Sequence, residues 1–403
     1  MIRLLWALFL CAACHAAWSG PAIPRPRQLT VADGLPSNSI NGIAEDQSGY
    51  LWIATSDGLA RYDGITFRIW RAGDGLLDNY LWSVHVDARN RIWVGTSQAG
   101  LAVLETDRRT FRHYDTHNTP GIGSDNVWSV TSTPDGSIWF GTASAGLHRL
   151  DTNGRISRFV PRPGDRHSMP SLEVSQLRAT PKGDLWIATR DGAARWNGRN
   201  FDRTPPDAFA SPVINSIGVQ TDGTLWFGTP RGVGVRHPDG RFDPAPFRGL
   251  GADATVLDIL VRDRAGQYWF DTPQGMGIEQ NGRLQNVPLF SAPAQGMVRP
   301  SWTSSLEDRE GGVWFGSAGN GLWYLPANWR QFALYSRRLD DPASLGNATV
   351  SGIAPGSDGS MWLVGTGGVL DRFDPGTGLV THVARDFSEG YIVYSVLEGR
   401  AGY

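Results

Sequence analysis

The chain has 403 residues, with 37 Lys and Arg against 39 Asp and Glu, so it lacks the basic excess expected of a nucleic-acid binder. Only 19% of residues are charged, while 50 Gly, 25 Pro and 17 Trp point to many tight turns between short strands rather than long helices. Both cysteines, Cys11 and Cys14, fall in the first apolar run, which leaves the rest of the chain without a thiol for a disulfide or a metal.

That first run is a targeting segment. Arg3 is a short positive start, Leu4 to Cys14 is apolar, and Ala16-Ala17 offers a cleavage point before Trp18. It is too short to span a bilayer. Residues 1–17 are therefore expected to be a signal peptide, and the chain to be exported to the periplasm.

A repeat follows: Asp, two residues, Gly, one residue, an aliphatic, Trp, a hydrophobic, a small residue, then Thr or Ser. Copy one is Asp46, Gly49, Leu51, Trp52, Ile53, Ala54, Thr55 and Gly58; copy three is Asp135, Gly136, Ile138, Trp139, Phe140, Gly141, Thr142 and Gly146. The repeat tryptophans are Trp52, Trp93, Trp139, Trp186, Trp226, Trp269, Trp314 and Trp362, at spacings of 41, 46, 47, 40, 43, 45 and 48 residues. Such spacing matches a four-stranded propeller blade and exceeds the coil of a β-helix. In copy one the strands are expected at Ile40 to Ala44, Leu51 to Thr55, Leu59 to Tyr62 and Thr66 to Trp70. The periodic tryptophans are read as packing between blades, because a large apolar body recurs where neighbouring sheets must meet. Two positions after the Trp the residue is small (Ala54, Gly95, Gly141, Ala188, Gly228, Gly316), except for Asp271 in copy six and Val364 in copy eight.

The segment Thr30-Val31-Ala32-Asp33-Gly34-Leu35 aligns with Arg71-Ala72-Gly73-Asp74-Gly75-Leu76, which follows the fourth strand of copy one. Residues about 24–31 thus read as an orphan fourth strand, expected to pair near Leu322 to Leu325 and close a ring of seven blades. The fold class expected is all-β: a seven-bladed β-propeller over 24–325, then a linker and the first blade or blades of a second propeller over 326–403. Leu397 to Tyr403 aligns with Ala44 to Tyr50, so the sequence is expected to be a fragment.

Together with Gly34-Leu35-Pro36-Ser37-Asn38 and Arg61-Tyr62-Asp63-Gly64, these copies resemble the two-component regulator propeller repeat. The resemblance implies a bacterial envelope sensor with two seven-bladed propellers, an immunoglobulin-like domain and one transmembrane helix, ending in a cytoplasmic histidine kinase or diguanylate cyclase. It also implies self-association as a sensor dimer. No kinase, cyclase or phosphate-loop motif occurs in the sequence, so no catalytic residue, cofactor or metal is expected in this chain.

In a propeller, the loops leading into the first strands and those joining second to third strands share one face, the default place for a small-molecule or oligosaccharide ligand. The candidates there are Asn38, Asp57, Asn79, Tyr80, Gln98, Asp125, Asn126, Trp128, Arg190 and Arg231. For each of the Asn and Asp residues a turn or cap is the competing role. The turn aspartates Asp46, Asp87, Asp222, Asp263 and Asp308 stand singly, unlike a calcium loop. His113 and His117 share a loop and read as solvated. The rival function is a secreted enzyme resembling the streptogramin lyases, for which His148 and His237, just after the second Gly of copies three and five, could approach that face.

Overall fold

In the computed structural model, residues 24 and 26–399 are described, except 181, 221, 245, 247–257, 281–282, 292–293, 295, 330–334, 336, 338–343, 376–378 and 386–390. The expected signal peptide lies outside the described residues, as do the last four residues. The chain divides into two compact units, one spanning Arg25–Ala327 and the other containing Asn328–Tyr403.

In the first unit the described residues form seven four-stranded antiparallel sheets, and six of them are simple meanders in sequence order. The first contains Ile40–Glu45, Leu51–Thr55, Gly58–Tyr62 and Phe67–Trp70, within a residue or two of the sequence expectation. The innermost strands of the seven are Ile40–Glu45, Leu81–Val86, Val127–Ser132, Val174–Ala179, Ser216–Val219, Asp258–Arg262 and Trp302–Glu307. Each touches the next in that order, and the last returns to the first, so the sheets stand as blades around a closed ring.

Burial explains why these segments read as they do. Every residue of the second strands Leu51–Thr55, Ile92–Thr96, Ile138–Thr142, Leu185–Thr189, Leu225–Thr229 and Val313–Ser317 is buried, because a neighbouring blade covers each face. Continuous apolar runs are the expected signature of strands covered on both sides. The outer strand Phe67–Trp70 has mostly part-exposed residues and carries the polar positions. The cores are inter-blade: Trp52 joins Leu81, Ile92 and Leu104 of the next blade, and Trp139 joins Leu177, Leu185 and Ile187.

The repeat tryptophans of this unit are buried, from Trp52 and Trp269 at 0% exposed to Trp226 and Trp314 at 6%. Four of them donate their indole N–H to an aspartate six residues earlier: Trp52 to Asp46, Trp93 to Asp87, Trp269 to Asp263 and Trp314 to Asp308. The single aspartate of the sequence pattern therefore resolves into two positions. Asp135 and Asp222 lie four residues before the Trp and hold the turn through Ser137 and Thr224, and Asp135 also pairs with Arg149 at 2.8 Å. Trp139 turns instead to Thr133 Oγ1 at 3.0 Å, and Trp226 to the Ile259 carbonyl at 3.0 Å.

The seventh sheet is composite. Arg27–Leu29 pairs antiparallel with Leu322–Leu325, in the register Arg27↔Tyr324, Gln28↔Trp323, Leu29↔Leu322. This is the partner the orphan strand was expected to find. The seam between the seventh and first blades is reinforced by Thr303 Oγ1 donating to the Ile40 carbonyl at 2.6 Å and by the Arg309–Glu45 ion pair at 2.6 Å.

The second unit contains one described four-stranded sheet: Val350–Pro355, Met361–Gly365, Leu370–Phe373 and Val380–Ala384. Its apolar cluster is Leu345, Leu363, Phe373 and Val380, and Trp362 is half-buried, unlike its seven counterparts.

Candidate functional site

The loops expected to share a face do so through one recurrent hydrogen bond. In five blades the glycine N–H that opens the third strand donates to the loop leading into the next blade: Gly58 to the Asn79 carbonyl, Gly100 to Asp125, Gly146 to Leu172, Gly192 to Pro212 and Gly321 to Asn38. Gly58 sits at φ 121°, and a Cβ there would come within 2.6 Å of the Trp70 carbonyl oxygen, so both conformation and space demand glycine.

Within those loops most of the candidates hold the backbone. The side-chain oxygens of Asn38, Asn79 and Asp125 accept from the Val31, Ala72 and Thr116 N–H groups at 3.0, 2.8 and 2.7 Å, the same loop-closing bond in three blades. Asp57 pairs with Arg71 at 2.9 Å and accepts from Asn79 Nδ2 at 3.2 Å. Gln98 is exposed, and its N–H donates to Asp78 Oδ2. Arg190 pairs with Glu173 at 3.0 Å, and Arg231 is exposed with its N–H on Thr229 Oγ1. Among the described residues no hydrogen bond or ion pair joins Arg190 or Arg231 to the other eight candidates. Asn126 is the exception in kind, since its buried Oδ1 finds no protein partner.

Trp128 and Tyr80 belong to a different feature. Six of the seven inner strands carry a bulge, with one extra residue near the loop end in the first, second, third, fourth and seventh. In three blades that residue ties the seam: Asn41 donates to the Leu81 carbonyl, Ser175 to Ile214 and Thr303 to Ile40. The second and third blades put Trp82 and Trp128 there and forgo the tie. Tyr80 lies against Trp82 with ring centroids 4.7 Å apart, and the Trp82 indole N–H has no protein partner. Two adjacent blades thus present half-buried indoles where their neighbours present hydrogen bonds.

A cavity of about 730 Å3 opens among the inner strands of the fourth to seventh blades. Strand register defines its levels. Opposite the small residues after each Trp stand Gly42, Ser83, Ser129, Gln176, Ser216, Asp258 and Ser304. The sixth blade departs on both strands, so Asp258 faces Asp271 directly across the hairpin. Asp258 accepts from Ser216 Oγ at 2.5 Å and from the Ile259 N–H at 2.8 Å. Gly228 makes room for it, since a Cβ there would lie 2.5 Å from Asp258 Oδ1.

Burial pushes the Asp258 carboxyl up to about 7 against these two hydrogen bonds, with the charge of Asp271 adding to the rise; burial likewise lifts Asp271 to about 6. One step further along the fourth inner strand is Arg178, whose Nε–H donates to the Ile217 carbonyl at 3.2 Å. It is ringed by protein, which depresses its pKa, yet its side chain still presents surface to the cavity. The cavity is open enough for the Arg178 side chain to be exposed and wide enough to hold solvent. His85, hydrogen-bonded to Ser132 at 2.8 Å, is driven down to about 4, first by burial, with the Arg178 charge adding to it.

Residues 34–57 and 75–98 match the profile of the two component regulator propeller. Two segments of the chain are thus similar to the two-component regulator propeller repeat. Each matched segment runs from a leading-loop glycine, Gly34 or Gly75, through the first and second strands to Asp57 or Gln98. The propeller as a whole is similar to the extracellular domain of a hybrid two-component system from B. thetaiotaomicron, at 19% identity and a TM-score of 0.71, over 91% of this chain and 51% of that one. A second such domain from the same organism gives 17% and 0.60, over 89% and 53%. The chain therefore spans about half the length of these domains. Virginiamycin B lyase from Staphylococcus aureus shares 16% identity with a TM-score of 0.56, over 75% of this chain and 98% of the lyase. A histidine kinase from Formosa agariphila is 44% identical over 45 residues, 11% of this chain and 3% of that protein.

The histidines named for the rival function sit differently. His148 is fully buried, stacked on Phe140 at 4.8 Å, and accepts from the Gly123 N–H. Burial lowers its pKa to about 4. His237 lies in the turn after the third strand of the fifth blade, its backbone closing that turn with Arg241 and Gly240. Among the described residues no three His, Cys, Asp or Glu side chains come together as metal ligands would. Sequence reasoning flagged Asp271 as a departure but passed over Asp258, Arg178 and Gln176. Asp258 was hidden because the register of the other blades would set Ile259 opposite Asp271, and the sixth blade's bulge, shifted to between Ile259 and Val261, moves Asp258 there instead.

Proposed function

We propose that this chain is the extracytoplasmic, ligand-sensing propeller region of a bacterial transmembrane signalling protein of the two-component kind. The observation that carries the reading is the match of its repeats to the two-component regulator propeller, and the whole-chain similarity to extracellular domains of hybrid two-component systems supports it. In this reading residues 24–325 form a seven-bladed ring and 326–403 open a second propeller, beyond which an output kinase or diguanylate cyclase is joined through the membrane. The leader over 1–17 directs export. Among the described residues no helix is long and apolar enough to cross a membrane.

Sensing requires a ligand with unequal affinity for two arrangements of the protein, because it shifts an equilibrium only by that difference. The two regions suited to ligand contact are the indole pair Trp82 and Trp128 with the surrounding loops, and the polar cavity among the fourth to seventh blades. Asn38, Asp57, Asn79, Asp125 and Asn126 serve the first by shaping its rim, with Tyr80, Gln98, Arg190 and Arg231 further around the same face. The test is translation of the reading frame beyond the Tyr403 codon. Further repeats, one apolar span and a kinase or cyclase are expected; a stop codon directly after Tyr403 overturns the signalling role.

A further inference from the structure

The cavity among the inner strands of the fourth to seventh blades contains acidic and basic groups that no protein group of opposite charge offsets. Asp258 and Asp271 face each other at one level, and no cation contributes to the electrostatics of either. Arg178 lies at the next level, exposed to the cavity with only its Nε–H engaged, so both terminal nitrogens are open to a ligand, and no carboxylate contributes to its electrostatics. Two carboxylates drawn out of water side by side with no opposite charge beside them are costly for a fold to hold. The repeat does not need these groups. Other blades put glycine or alanine where Asp271 stands and mostly glycine or serine where Asp258 stands. At the level of Arg178 the first and third blades use Ala44 and Thr131.

Both halves therefore point to a missing partner that carries both charges. We propose that this cavity binds a small amino-carboxylate zwitterion, its ammonium between Asp258 and Asp271 and its carboxylate on Arg178. An ammonium has three N–H donors, which suits two carboxylates that each retain free lone pairs, and it removes their mutual repulsion. The guanidinium offers the carboxylate two parallel N–H donors. Ser216 is already committed to Asp258, and Gln176 to the Ile217 N–H, so the polar walls hold the charged groups in place rather than compete for the ligand. The inference names the ligand class of the proposed sensor and rests on that reading for its biological meaning.

The test is isothermal titration of the whole chain with glycine, γ-aminobutyrate and ε-aminocaproate, with butylamine, butyrate and glucose as controls. At least one zwitterion is expected to bind about tenfold or more tightly than either one-ended control. Asp271→Gly, which restores the residue common in the other blades, and Arg178→Gln are each expected to reduce that affinity to the one-ended level with the unfolding midpoint retained. Equal affinity for zwitterions and one-ended controls overturns the proposal, as does unchanged affinity in both variants. If glucose binds and Asp271→Gly abolishes it, the ligand class is wrong while ligand sensing in the cavity stands. If no probe binds, the proposal falls and the reading-frame test still decides the signalling role by itself.

Discussion

Two sets of buried titratable residues pull stability in opposite directions with pH. Asp258 and Asp271 have folded pKa values raised from 3.8 to about 7 and about 6, so the native state holds protons that the unfolded chain releases. Their stabilisation is present below the unfolded value and is lost as pH rises through about 6 to 7. His85 and His148 are lowered from 6.5 to about 4, so their contribution is present above 6.5 and lost as pH falls through about 4. In the window between, the two effects oppose each other, and the urea midpoint should change little. In the double variant Asp258→Asn/Asp271→Asn only the histidines remain, and the midpoint should climb as pH rises across that window. A variant profile parallel to the parent's would refute the assignment. The turn aspartates act by geometry instead. Asp46→Ala leaves the buried Trp52 indole N–H without its acceptor and strips a partner from Arg108. A loss of about 2 kcal/mol is expected from chemical denaturation, within the range for an orphaned buried donor. Asp222→Ala, whose carboxylate holds only an exposed turn, should cost much less.

At the scale of the strand, the sequence was most legible where both faces are covered. The runs around Trp52, Trp93, Trp139, Trp226 and Trp314 fix the second strand almost to the residue, because a continuous apolar segment between two turns has one reading. The orphan strand was legible too, through the alignment of Thr30–Leu35 with Arg71–Leu76. What the sequence concealed were the bulges. A bulge leaves no compositional mark, yet it decides that Trp82 and Trp128 stand where Asn41, Ser175 and Thr303 tie adjacent blades. It also hid Asp258, whose meaning appears only when strand pairing sets it against Asp271. The candidate polar residues were placed on the correct loops, but Asn38, Asn79 and Asp125 turned out to share one backbone-holding role. A prediction follows for the bulge position. Trp82→Asn should regain a seam hydrogen bond of the Asn41 type and keep or raise the denaturation midpoint, while weakening any ligand that stacks on the indole. Thr303→Val should do the reverse, with a loss of about 1 kcal/mol, the typical net worth of one hydrogen bond.

For the ring as a whole, stability depends on a strand of three residues, Arg27–Leu29, held by a sheet nearly three hundred residues away. Removing residues 24–30 should uncover Leu322 and Trp323, both 0% exposed, and open the seam beside the Arg309–Glu45 pair. The measurable result is a lower denaturation midpoint with hydrogen-exchange protection lost first at Leu322–Leu325. The same arrangement has a consequence in time. The strand that completes the ring is made before the rest of the ring, while its partner is the last strand of the ring to be made. Until Leu325 arrives, Arg27–Leu29 has no place to pair, so six blades can assemble side by side but the ring cannot close. Pairings across so long a separation are slow. Transplanting residues 24–30 to follow Leu325 directly would turn that distant pairing into a local hairpin. Refolding of the seventh blade should then become faster with little change in final stability.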